Sequence, residues 1–76
     1  MTEAEEIKLL THLKTLRKML DDKESEIYEY GNRYKNAASA SFKFMYQLSL
    51  KQCKEEYEAI DYATELIKKE LGEVAK

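Results

Sequence analysis

The sequence predicts an all-α antiparallel helical hairpin, and three observations carry that reading. No proline interrupts the 76 residues, so the strongest helix breaker is missing. Apolar residues recur at alternating steps of three and four in both halves, the period of one helix face. The two rows are out of phase across the middle, so the chain turns between them. Residues 1–76 form a single domain, and a marginal one, because so short a chain buries only about 60% of its unfolded surface. A content of 43% hydrophobic and 37% charged residues suits water-facing helices and argues against a disordered chain.

The first helix begins at Thr2 and Glu5, which fit a capping box in which the Thr oxygen accepts an orphan N–H. Glu3, Glu5 and Glu6 sit at the positive end of the helix dipole, where acids are favoured. Leu9, Leu13, Leu16, Leu20, Ile27, Tyr30 and Tyr34 then share one face, interrupted only by Lys23. Ile7, Leu10 and Met19 widen the stripe.

The second helix is more regular. Tyr46, Leu50, Cys53, Tyr57, Ile60, Thr64, Ile67, Leu71 and Val74 follow 4-3-4-3 spacing with Thr64 as the one polar member. Four heptads in register resemble a coiled-coil seam. Gly72, preceded by Lys68 and Lys69, reads as a helix stop with charge suited to the dipole.

Three positions compete for the turn between them. Gly31-Asn32 tolerates the left-handed conformation that ends helices. Asn36 to Ser41 divides the chain more evenly, although its alanines favour helix. Asp21-Asp22 would instead start a third helix. The Gly31 turn gives helices of about 3–30 and 33–72, and the longer arm then overhangs by roughly 18 Å. That overhang would expose Ile67, Leu71 and Val74, and exposed apolar rows mark interfaces. The expectation is a homodimer in which two hairpins pair into a four-helix bundle. Leu50, Cys53, Tyr57, Ile60, Ile67 and Leu71 are its expected dimer interface.

Charge and aromatic content point to function. With 13 basic against 15 acidic residues the net charge is −2, which excludes a chain blanketed in positive charge. Yet residues 30–54 carry Arg33, Lys35, Lys43, Lys51 and Lys54 with no acid, together with Tyr30, Tyr34, Phe42, Phe44 and Tyr46. An acid-free aromatic tip suits an acidic protein partner, and Tyr is favoured where one edge packs and the hydroxyl stays wet. Tyr30, Arg33, Tyr34, Lys35, Phe42, Lys43 and Phe44 are the candidate partner-binding set. Basic residues interleaved with aromatics also suit nucleic acid, the competing class, although five charges are few for that task. A structural assembly subunit is a third class.

Catalysis has little to work with. His12 has no ligand-type neighbour three or four residues away to form a metal pair, and no cofactor is expected. Cys53 sits in the seam as a small hydrophobe. Glu55 and Glu58 are expected to pair with Lys51 and Lys54 four residues earlier, and Glu65 with Lys69 four later. Two glycines leave no phosphate-cradling loop. The reading is a non-catalytic interaction module acting as an adaptor, inhibitor or regulator of another protein. The acidic start lacks signal-peptide character, no apolar run nears the roughly 20 residues of a membrane span, and a lone thiol suits the cytoplasm.

Overall fold

Helix formation starts where the capping signal lies. In the computed structural model, which describes residues 2–72, the Thr2 hydroxyl accepts from the Glu5 N–H at 3.2 Å. It opens helix α1, Glu3–Asn36. A second helix, α2, runs Ala40–Leu71 and ends at Gly72, which is left-handed at φ 79°. The Gly72 N–H donates to the carbonyls of Lys68 and Lys69, so the orphan carbonyls of the last turn are met. The two helices pack against each other as an antiparallel hairpin, a rod of 56 × 17 × 16 Å. Among the described residues no helix is long and apolar enough to cross a membrane. Val74, expected to extend the second row, lies outside the described residues.

The turn is not at Gly31-Asn32. α1 continues through Gly31 to Asn36, and the chain reverses over residues 37–39. Ser39 decides this: its backbone is extended, and its Oγ accepts from the Phe42 N–H at 3.3 Å. That bond satisfies one of the four donors a new helix leaves open. A glycine inside a helix costs about 1 kcal/mol relative to alanine, and nearby contacts offset it. The Arg33 guanidinium pairs with Glu29 and lies over the Tyr30 ring, and Tyr30 packs on Tyr46 across the turn. The arms are therefore 34 and 32 residues, and the expected overhang disappears. Ile67 and Leu71 are half-buried within the hairpin and not left bare.

The core is a single narrow seam. Leu13 is 1% exposed and Cys53 and Thr64 are also buried, while Leu9, Leu16, Leu20, Ile27, Leu50, Tyr57 and Ile60 are half-buried beside them. Thr64 fits an apolar row because its hydroxyl donates to the Ile60 carbonyl at 2.8 Å, so no polar atom is left unmet. Lys23, the break in the first row, carries a polar layer. Its ammonium bridges Glu26 at 3.0 Å and Glu56 of α2. Gln52 donates to Glu56 at 3.1 Å.

Candidate interaction site at the helix turn

Reversal at residues 37–39 folds the acid-free stretch back on itself, so its two flanks share one end of the rod. Tyr46 is the keystone. Its ring centroid lies 6.5 Å from that of Tyr30 on α1 and 6.4 Å from that of Phe42 one turn earlier on α2. Both are ordinary spacings for packed aromatic rings. Two cations lie over this cluster: Arg33 5.6 Å from the Tyr30 centroid and Lys43 5.9 Å from that of Tyr34. Five of the seven partner-binding candidates, Tyr30, Arg33, Tyr34, Phe42 and Lys43, therefore meet with Tyr46 at the tip, while Phe44 is exposed on α2 outside these contacts. Lys35 is exposed on the last turn of α1. Phe42 and Phe44 are more than half exposed and Tyr34 is also open to solvent.

The tip offers two shallow surfaces. One hollow lies between Arg33, Asn36, Ala37, Phe42 and Tyr46. The other, further along α2, is bordered by Tyr34, Leu50, Lys51, Lys54, Glu55 and Glu58, so its edge carries acids as well as bases. The first combines an apolar floor with a basic edge and no acid, which suits contact with acids carried on an apolar segment. Tyr46 was absent from the predicted site because its place in the second apolar row identified it as core. The signal available was its position four residues after Phe42, which places both rings on one helix face.

The expected dimer-interface residues lie elsewhere. Leu50, Tyr57, Ile60, Ile67 and Leu71 are half-buried and Cys53 is buried. All belong to the row that meets α1, so much of their surface is covered inside one chain. The Cys53 thiol donates to Glu26 Oε2 on α1 at 3.6 Å. Burial, then the bond to that carboxylate, pushes the thiol above its ordinary value. It is held protonated, the opposite of an activated nucleophile. Lys23 is held charged chiefly by Glu56 and then Glu26, and Lys23 in turn keeps Glu56 below the usual carboxylate range, with help from Gln52. In the sequence Lys23 is only an interruption of the apolar row, and its spacing carries no sign of its cross-helix partners.

His12 is exposed beside Glu5, Lys8, Leu9 and Glu70 near the open end. Among the described residues no group of three or more His, Cys, Asp and Glu side chains could hold a metal ion. Glu65 takes Lys68 at 3.4 Å and not Lys69 as its ion-pair partner. The fold defines the class of the molecule as a two-helix antiparallel hairpin with an aromatic, basic turn. Comparison with protein families, characterised proteins and solved structures finds no match.

Proposed function

We propose that the protein is a non-catalytic interaction module that works as a homodimer and uses its helix turn to bind an acidic surface of another protein, as adaptor, inhibitor or regulator. One observation carries this reading. Exposed Phe42 and Tyr34 lie with Arg33 and Lys43 at the turn, with Lys35 and Phe44 exposed on its two flanking helices and no acid between residues 30 and 54. Large apolar groups covered on binding contribute about 1.5–3 kcal/mol each, and the basic rim supplies orientation and encounter rate. Self-association is supported by the thinness of the seam. A rod whose described apolar core is Leu13 and Cys53 leaves Ile7, Leu10, Met19, Met45, Leu48 and Leu66 open, and pairing into a four-helix assembly covers such side chains.

Photo-crosslinking tests the tip. A photoreactive side chain at Phe44 should capture a defined acidic protein from the native host, and the same group at Thr11 should not. Lys43→Glu combined with Phe42→Ser should abolish that capture while leaving the helix content unchanged. Equal capture from both positions overturns the assignment. Retention of nucleic acid that collapses steeply with added salt would replace it with the nucleic-acid reading. Light-scattering mass over a range of concentrations tests the homodimer, and a constant monomer mass refutes it.

A further inference from the structure

α2 carries a second row, on the face opposite its seam with α1. Met45, Leu48, Gln52, Glu55, Ala59, Tyr62 and Leu66 follow one another at steps of three and four, which places them on one side of the helix. Met45, Leu48, Tyr62 and Leu66 are 49–68% exposed. This row has the spacing of a coiled-coil seam, and no other helix covers it among the described residues.

We infer that this outer face of α2 pairs with the same face of a second copy, the two α2 helices running antiparallel about an axis near Glu55. The inference rests on the homodimer reading and supplies its surface and orientation. The row reads alike from either end: Met45 and Leu66 lie almost equally far from Glu55, as do Leu48 and Tyr62. An antiparallel pair therefore sets Met45 against the partner's Leu66 and Leu48 against the partner's Tyr62, with no register slip. Two charge observations choose this orientation over the parallel one. Lys51 and Glu58 flank the row on the same side at nearly equal distances from its centre. Antiparallel pairing brings each Lys51 opposite the partner's Glu58, twice by symmetry, whereas parallel pairing faces Lys51 with the partner's Glu56, already engaged by Lys23, and sets Glu58 against an alanine. Neither residue has an ion-pair partner among the described residues. The second observation is the tip, where residues 30–49 hold Arg33, Lys35 and Lys43 and no acid. Parallel pairing stacks two such tips together, and antiparallel pairing sends each to the partner's open end. Glu55 meets its own copy in either case and decides nothing.

The arrangement has a consequence for binding. Each dimer presents two aromatic tips at opposite ends of the assembly, so it can engage two acidic sites at once.

Distance measurement between single spin labels separates the outcomes. Ala38→Cys at the exposed turn, in a Cys53→Ala background, places one label per chain. Antiparallel pairing about Glu55 predicts a label-to-label distance of about 50 Å, twice the 17-residue rise at about 1.5 Å each. A distance under about 25 Å means parallel pairing, which overturns this inference and leaves the homodimer standing. No dipolar coupling at any concentration overturns the homodimer itself. Charge reversal gives a second, independent readout. Lys51→Glu should weaken dimerisation about tenfold, and Lys51→Glu combined with Glu58→Lys should restore it. Failure of the double variant to recover overturns the pairing. Both positions are solvent-facing, so both variants keep the hairpin folded.

Discussion

Leu13→Ala tests whether the seam between α1 and α2 holds the hairpin. Among the described residues Leu13 is the one large apolar side chain with almost no exposure. Truncating a buried leucine costs about 2–5 kcal/mol, more where the surroundings cannot close in. Two helices joined at one end can close in, so the lower part of that range, about 2–3 kcal/mol, applies. Unfolding entropy of about 2.1 cal/mol/K per residue converts this to a fall of roughly 12–18 °C in Tm for a chain of this length. Leu10→Ala is the control, since Leu10 lies three residues away on the same helix and is nearly half exposed. It should cost under about 1 kcal/mol. The assay is far-UV circular dichroism on heating, with all variants at one chain concentration because association shifts Tm by mass action. If Leu13→Ala and Leu10→Ala melt within about 3 °C of each other, the stability does not reside in the seam and the reasoning fails.

Gly31→Ala should raise Tm by about 5 °C, because Gly31 is inside α1 and a Cβ there meets nothing within 4 Å. Alanine gains about 0.8–1 kcal/mol in a helix interior, so a drop in Tm would return the hinge to Gly31. Ser39→Ala should cost about 1 kcal/mol through loss of the α2 cap, and Ser39→Gly only a few tenths; equal losses would show that the hydroxyl is not the capping group. Stability against pH should form a plateau between about 4.5 and 9. Glu56 is depressed below its ordinary 4.5, so its contribution is in place above that value and lost as pH falls through the lowered folded pKa. Cys53 is raised above 9.0 and Lys23 above 10.5; theirs is complete below those values and fades as pH climbs through the raised ones. Glu56→Gln should flatten part of the acid limb in urea titrations at stepped pH, and an unchanged limb would remove Glu56 from the account.

The helices and their outer ends were legible because their signals are local. Thr2 and Gly72 act on groups within four residues, and an apolar row at 3.6 spacing needs no knowledge of what it will face. The turn was harder. Gly31 had the stronger local chemistry, yet tertiary contact overrode it: Tyr30 packs on Tyr46 only if α1 runs on past residue 31. Ser39 was hidden among Ala37, Ala38 and Ala40, which read as helix. The tip set was found from charge and aromatic content, and these survive any turn position between 31 and 41. What spacing alone could not reveal was the layer of Lys23, Glu26, Gln52, Glu56 and Cys53, since its members come from two helices, with Glu26 and Cys53 27 positions apart.

The same limit applies to the two apolar rows of α2. Periodicity says that a face is apolar, but not which neighbour covers it. A connection confined to residues 37–39 settles the matter for the inner row of α2. α1 is tethered beside it at an effective concentration in the millimolar range, far above that of a free second copy. The more regular row is therefore taken first, within the chain, and polar contacts along it fix how the helices meet: Cys53 against Glu26, and Lys23 of α1 reaching Glu56 beside the row. In the proposed dimer a second molecule uses what remains, the outer row from Met45 to Leu66, and the aromatic turn is left for another partner. On that proposal folding and association draw on different faces of α2. Substitutions at Leu13 should unmake the hairpin, whereas Leu66→Asp should leave its helices intact and separate the copies.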